Sequence, residues 1–414
     1  MNVELITIGD ELLLGFTVDT NGAFLARTLA ERGVAVVRRT SVGDTMDAIV
    51  AAVREALDRT GAVITTGGLG PTSDDLSRDA VARVFGRQMR IDEEHLEWMR
   101  NRWRTRFGRE LPESNTRQAL VPAGARKLEN RHGSAPGLFI EDERGRWVAM
   151  LPGVPREMRG MTDEVLLPLL MERGAGGDHV IRSRTLRTTG MAESVLQDRL
   201  TGAAIADNVT LAYLPGVDGV DLRLTTAGSP AAADRALDTS AATLRGRVGE
   251  WVYAEGSGDL AEVLLEACRV KRLRIAVAES CTGGLLGARL TEIAGSSDVF
   301  VGGVIAYANE VKVRELGVAQ RDLDQHGAVS EPVVRQMAAG VRARFGVEVG
   351  LGISGVAGPG GGTAEKPVGL VWIAAAVGDR VEAKSFQSVG DRAAVRQRGA
   401  QAAMALARRM LAAQ

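Results

Sequence analysis

Arg274–Ala278 reads as a short buried strand, Glu279-Ser280-Cys281-Thr282-Gly283-Gly284 as a tight turn, and Leu285–Ile293 as a helical run that stops at Gly295. A strand that passes through a glycine turn straight into a helix commits this part of the chain to an α/β layer. It also puts Ser280 where a strand ends and a helix begins. Free backbone N–H groups at such a helix start bind an anion or a developing oxyanion, which points to the stretch Thr282, Gly283 and Gly284. A second strand, Val299–Tyr307, leads to Asn309 and Lys312. A serine hydroxyl needs a base to become a nucleophile, and a lysine serves as one when burial keeps it neutral. Ser280 and Lys312 are therefore a candidate Ser–Lys pair. The plainer alternatives are a helix-capping serine and a solvated lysine. Cys281 is a rival nucleophile, because a thiol beside a helix start has a lowered pKa, although no histidine lies near it in sequence.

Further along, the strand Val349–Ser354 delivers the loop Gly355–Gly362, and a strand follows at Val368–Ala376. A glycine loop at the carboxyl edge of a sheet offers backbone N–H groups to ribose and phosphate. Ser354, Gly355, Gly358 and Gly361 are thus substrate-binding candidates, with Asn309. Asp259 caps a helix over Leu260–Arg269, and Gly390-Asp391-Arg392 starts the terminal helix. Arg392 and Arg396 share a helix face. Either they hold a nucleotide phosphate or they are ordinary exposed arginines.

The N-terminal half alternates strand and helix: Val3–Ile8, Thr20–Arg32, Val34–Thr40, Gly43 to about Arg59, Ala62–Thr65. That order argues for a doubly wound α/β domain. Its first strand ends in Gly9-Asp10-Glu11, and its third opens into Thr66–Asp75 ahead of a helix at Leu76–Phe85. Gly67, Gly68 and Gly70 let backbone approach a phosphate, with Thr72 beside them. Asp74 and Asp75 are carboxylates of the kind that hold a hard divalent cation. A tight turn with an aspartate helix cap is the alternative. The helix Asp92–Phe107 mixes glutamates with arginines and reads as a solvated face rather than a nucleic-acid helix. From Val180 to Tyr253 the order is strand, helix, strand, strand, helix, a small α+β unit with no GXXG loop between its helices.

Length gives a prior of about three domains. A net charge of −1 and 4% aromatic residues argue against nucleic acid and anionic membranes as partners. Cys268 and Cys281 form neither a disulfide framework nor a metal motif. No apolar run is long enough to span a bilayer, and Met1-Asn2-Val3-Glu4 lacks the start of a signal peptide, so a cytoplasmic setting is expected.

The blocks AESCTGG, AGSSDVFVGGVIAYANEVK, HGAVSEPVV, GISGVAGPGGGT and KPVG resemble the nicotinamide-nucleotide amidase domain at the C-terminus of CinA-type proteins. GDELLLG, DTNGAFLA, TTGGLGPTSDDLSRDAVA, NRHGSAPG and LPGVPREM resemble the same family's N-terminal domain, which shares the molybdopterin-binding fold. Ser134 and Ser354 stand where the family more often has threonine. The resemblance implies an α/β fold in three parts: a molybdopterin-binding-like domain at 1–173, a small α+β KH-like domain at 178–254 that is a spacer or a dimerisation domain, and an α/β amidase domain at 258–414. It implies hydrolysis of the carboxamide of nicotinamide mononucleotide by Ser280 with Lys312 as base. Tyr307 then either orients the base or stacks near the nicotinamide ring. It further implies cleavage of ADP-ribose by the N-terminal domain, with a divalent metal ion (magnesium or a transition metal) near Asp10, Asp74 and Asp75, and no cofactor for the amidase. A homodimer is expected. A pterin-binding module that hydrolyses nothing, or an adaptor in DNA uptake, is the alternative.

Overall fold

The computed structural model describes residues 1–176 and 179–413. Gly177, the last residue of the expected joint after the first domain, and residue 178, where the middle domain is expected to begin, lie outside the described residues. The chain divides into two compact units, one of Met1–Arg182 with Ala227–Asp234, the other of Ser183–Thr226 with the chain from Arg235 onward.

The first unit is built on β1 (Asn2–Ile8), α1 (Asp10–Leu13), α2 (Thr20–Ala30), β2 (Ala35–Val42), α3 (Met46–Thr60), β3 (Ala62–Thr66) and α4 (Ser77–Val84). There follow β4 (Met89–Ile91), α5 (Glu93–Phe107), a 3-10 turn at Glu113–Ala119, β5 (Leu120–Pro122), β6 (Arg126–Leu128), β7 (Gly137–Glu141), β8 (Trp147–Leu151), α6 (Pro155–Met161) and α7 (Leu167–Glu172). The main sheet runs β2-β1-β3-β8-β7-β6. β2, β1, β3 and β8 are parallel, β7 runs antiparallel to β8, and β6 antiparallel to β7. Every residue of β3 and β8 is buried, as a parallel strand covered on both faces requires. The strand ends Ile8, Thr66 and Leu151 therefore open at one edge, where the glycine turn begins.

A four-stranded and a five-stranded sheet lie mostly in the second unit. β9 (Val180–Thr188), α8 (Glu193–Leu200), β10 (Val209–Pro215), β11 (Val220–Gly228), α9 (Pro230–Val248) and β12 (Val252–Glu255) form a four-stranded sheet in the order β10-β11-β9-β12 with its helices. Gly256–Gly258, between the expected middle and C-terminal domains, is tied down: the Gly256 N–H donates to Thr185 O at 2.8 Å, and Arg187 donates to Gly258 O at 3.1 Å.

The last part contains α10 (Leu260–Val270), β13 (Ile275–Glu279), α11 (Leu285–Thr291), β14 (Phe300–Ile305), α12 (Asn309–Leu316), α13 (Gln320–His326), α14 (Glu331–Phe345), β15 (Val349–Gly355), β16 (Leu370–Val377), β17 (Arg380–Gln387) and α15 (Arg392–Ala412). Asp259 caps α10 through the Ala261 N–H, and Asp391 caps α15 through the Ala394 N–H. The sheet runs β14-β13-β15-β16-β17, with β13 in the parallel centre between β14 and β15. Lys312 sits within α12. Among the described residues, no helix is long and apolar enough to cross a membrane.

Gly340 is where α14 passes closest to the end of α12: a Cβ there would lie 1.9 Å from Leu316 O. Gly340→Ala is expected to push α12 away and destabilise the second unit by about 1–3 kcal/mol, the usual range for overpacking. A lowered denaturation midpoint for that unit checks it.

Candidate active sites

β13 carries Glu279 and Ser280 to the carboxyl edge of the second unit's parallel strands. The Glu279 carboxylate is 1% exposed, and accepts the N–H groups of Gly284 at 3.0 Å, Leu286 at 3.0 Å and Gly287 at 2.8 Å. The start of α11 is thus occupied by a protein carboxylate. The Gly283 N–H donates to Ser280 O at 3.1 Å. Gly283 and Gly284 are therefore not the anion donors that the sequence suggests; they shape the turn, with φ of 56° and 96°. The backbone N–H groups of Cys281 and Thr282 have no acceptor among the described residues, and they are the ones left for an oxyanion. The Thr282 side chain is fully buried, with its hydroxyl unpartnered, so its contribution to the site is its backbone.

Lys312 is 1% exposed. Its Nζ donates to Ala306 O at 2.8 Å and Tyr307 O at 3.0 Å. Burial pushes the amine below the ordinary lysine value, while Cys281 and Glu310 pull the other way. The Ala306 N–H in turn donates to Glu279 O at 2.7 Å. The backbone that holds the amine is thus bonded to the strand end that presents Ser280. Ser280 is itself buried, at 9% exposure, and no hydrogen bond joins its hydroxyl to Lys312 among the described residues. An ammonium or amine has more than two hydrogen-bonding positions, so one remains for the serine side. Burial pushes the Cys281 thiol up to about 11, so the expected helix-lowered thiolate is not there. That corrects Cys281 as a rival nucleophile.

Tyr307 gives its carbonyl to Lys312, and its exposed ring carries a hydroxyl that accepts from Arg392 at 3.3 Å. Arg392 also donates to Gly358 O at 2.7 Å, and so joins the glycine loop to Tyr307. Arg396, one turn on, donates to Thr282 O from Nε at 3.2 Å and Nη2 at 2.7 Å. Both arginines of α15 therefore turn toward the Ser280 site. Gly355 lies against Cys281, where a Cβ would come 3.1 Å from Sγ. Gly361 and Asn309 are exposed. Ser354 is a correction: at 1% exposure its hydroxyl donates to Ala328 O at 2.7 Å, a buried strut rather than a substrate contact.

In the first unit, the turn after β3 is moulded from beneath. A Cβ on Gly67 would lie 2.2 Å from Ile8 O, and one on Gly68 would lie 2.2 Å from the Ser77 hydroxyl oxygen. Arg78, which the sequence reading passed over, is 2% exposed and donates to Leu69 O and Gly70 O, both at 2.7 Å. Burial brings its guanidinium down to about 10, still charged at neutral pH. The carbonyls of Gly67 and Gly68 accept from Ser77, from its hydroxyl at 2.7 Å and its N–H at 3.2 Å; the N–H groups of Gly68 and Leu69, which point the opposite way, have no acceptor among the described residues and suit a phosphate.

The expected metal triad does not form. Asp75 accepts the Gly70 N–H at 2.7 Å, the Thr72 N–H at 2.8 Å and the Thr72 hydroxyl, so Asp75 and Thr72 brace the loop. Asp10 accepts the Asp44 N–H at 3.2 Å and donates its own N–H to Asp44 at 2.9 Å. Among the described residues no three His, Cys, Asp or Glu side chains converge to hold a metal ion. Asp44 is the carboxyl that sequence reasoning missed. Burial first, then the charges of Asp10, Glu11 and Asp74, raise it above the ordinary value.

The fold is a mixed α/β one: a molybdopterin-binding-like N-terminal domain, a small middle domain and a C-terminal α/β domain. The profile described as a probable molybdopterin binding domain matches residues 4–172. The damage-inducible protein CinA KH domain matches 183–254, and the CinA C-terminal domain matches 257–411. The chain belongs to the CinA family. A CinA-like protein of Gemmatimonas aurantiaca is 58% identical over 414 residues, covering 100% of this chain and 97% of the relative. A putative competence-damage inducible protein of Moorella thermoacetica is 42% identical over 415 residues, covering 100% of both. Among solved structures, CinA of Thermoplasma acidophilum is 37% identical, with a TM-score of 0.37, covering 42% of this chain and 96% of that one.

Glu279→Ala is expected to leave three N–H groups at the start of α11 without their acceptor. Losing a charge-assisted bond of this kind costs about 1.5–3 kcal/mol, seen as a lower unfolding midpoint of the second unit.

Proposed function

We propose that the C-terminal domain is an amidohydrolase that converts nicotinamide mononucleotide to nicotinate mononucleotide and ammonia. The buried Lys312 at the strand edge that presents Ser280 is the observation that supports this most. Ser280 Oγ attacks the carboxamide carbon while the neutral Lys312 amine takes the hydroxyl proton. The oxyanion lies against the Cys281 and Thr282 N–H groups. Collapse of the tetrahedral species expels ammonia, which takes the proton back from Lys312, and leaves an ester on Ser280. Water, with its proton drawn by the same amine, attacks the ester carbon; the acyl–oxygen bond breaks, Ser280 Oγ takes the proton back from Lys312, and nicotinate mononucleotide leaves as the carboxylate with its acid proton lost to solvent. Arg392, which bonds the Tyr307 hydroxyl and Gly358 O, would hold the nucleotide phosphate, and the loop Gly355–Gly362 the ribose.

For the N-terminal domain we propose pyrophosphate hydrolysis of ADP-ribose, with the phosphates on the Gly68 and Leu69 N–H groups. A divalent cation would arrive with the pyrophosphate, since among the described residues the carboxylates do not form a site alone; Asp74 and Asp44, which line the same cavity as the glycine turn, would meet it.

Ammonia release from nicotinamide mononucleotide by the purified chain tests the first activity. Ser280→Ala should lower it by on the order of 1,000-fold or more, while ADP-ribose cleavage continues and Cys281→Ala stays active. An active Ser280→Ala would remove the serine from the mechanism. Amidase rate should also rise with pH through the depressed lysine pKa, because only the neutral amine accepts a proton. Lys312→Arg should be nearly inactive at every pH, since guanidinium stays charged. Asp74→Ala should reduce metal-dependent ADP-ribose cleavage without changing ammonia release; equal cleavage rates would remove Asp74 from the site.

A further inference from the structure

Gln118 is 4% exposed, and its Oε1 is buried with no hydrogen-bond partner. Its amide nitrogen is likewise unpaired among the described residues. A buried carboxamide left unmade is unfavourable and calls for an explanation. Gln118 lies in the 3-10 turn between α5 and β5, and it lines two cavities at once. One, of about 390 Å³, contains the glycine turn Gly67–Gly70. The other, of about 240 Å³, lies under α5 against Arg102, Trp103 and Arg106. Ser134 and Glu157 also border both, so the cavities adjoin along this edge.

The two cavities differ in chemistry. The first offers free backbone N–H groups to phosphate. The second offers flat faces: Trp103 and Phe107 lie 4.7 Å apart between ring centres, and the Arg106 guanidinium sits 5.5 Å over Phe107. Aromatic and guanidinium planes stack on a heterocycle. A carboxamide places one donor beside one acceptor, and the amino edge of a 6-aminopurine presents the matching acceptor and donor. A ligand with phosphate in one cavity and a ring in the other passes directly by Gln118.

We infer that the α5 cavity takes the adenine of a nucleotide whose phosphates sit on the glycine turn, and that Gln118 reads the amino edge of that base. The inference rests on the proposed nucleotide-pyrophosphate reading of this domain and adds the base-selecting residue to it. The carboxamide is then satisfied only when the ligand is bound. On the edge formed by N7 and the 6-substituent, a 6-oxopurine presents two acceptors; the carboxamide donates to O6 only by turning over, and its oxygen then faces N7, a second acceptor.

Titration calorimetry of the full chain with magnesium tests this, using adenosine monophosphate, inosine monophosphate and inorganic pyrophosphate as probes. The unsubstituted chain should prefer the adenine nucleotide to the hypoxanthine one. Gln118→Leu removes both polar atoms at similar size and breaks no protein hydrogen bond. It should weaken adenosine monophosphate about ten-fold, the scale of one paired base contact, and abolish the preference between purines. Pyrophosphate affinity should not change. Gln118→Glu, which removes the donor at constant size, gives the same split should the leucine variant not fold. Equal binding of the two purines to the unsubstituted chain, or loss of both adenosine monophosphate and pyrophosphate in the variants, overturns the assignment. Adenine selection that depends on Gln118 without any pyrophosphate binding or ADP-ribose cleavage would uphold the base site and reject the pyrophosphatase reading.

Discussion

The Glu279 carboxylate, buried under the start of α11, holds the turn on which the C-terminal site depends. It draws three backbone N–H groups inward, and in doing so fixes Ser280 and leaves the Cys281 and Thr282 N–H groups without protein partners. Helix N-termini favour anions, so a carboxylate here needs no buried cation to balance it. The next strand over is tied to Glu279 through the Ala306 N–H, and Ala306 O then receives the Lys312 amine. A sequence of short hydrogen bonds thus runs from the turn to the base.

The first unit solves the same problem with the opposite charge. Arg78 lies beneath the glycine turn and takes the Leu69 and Gly70 carbonyls, while Ser77 takes those of Gly67 and Gly68, so the Gly68 and Leu69 N–H groups are turned the opposite way on a loop that lines the cavity. Asp75 closes the far side of the loop. One turn has a buried anion beneath it and the other a buried cation. In the proposed reactions the first would leave room for an oxyanion beside Ser280, and the second would cradle a phosphate. The carboxylates around Asp44 crowd one another at the cradle's rim, which suits a cation brought by a polyanionic ligand better than one held permanently.

The strands of both parallel sheets were legible because they are continuous apolar runs bounded by glycine, as in AVITT and IAVAE. Helices with caps, such as α10 behind Asp259 and α15 behind Asp391, were equally plain. Short antiparallel pieces such as β6 and β12 were not, since three or four residues carry no periodicity. The roles of individual polar residues were harder. Ser354, Thr72 and Asp75 look like ligands in sequence, yet Ser354 and Asp75 bond backbone and the Thr72 hydroxyl is spent on Asp75. Glu279, Arg78 and Gln118 look like surface residues, yet each is buried. Local sequence gives residue type and spacing, while burial is decided by the packing of elements far apart in the chain.

The claim that burial makes Lys312 a base can be measured on the amine itself. In nitrogen-labelled protein the Lys312 side-chain resonance, assigned by its absence in Lys312→Arg, can be followed with pH against Lys127, Lys271, Lys366 and Lys384. A free lysine titrates near about 10.4. Lys312 should titrate clearly below those other lysines, in the same pH range where amidase activity rises. A Lys312 midpoint equal to theirs would contradict the account, because an amine that stays protonated through the active range cannot take the proton from Ser280.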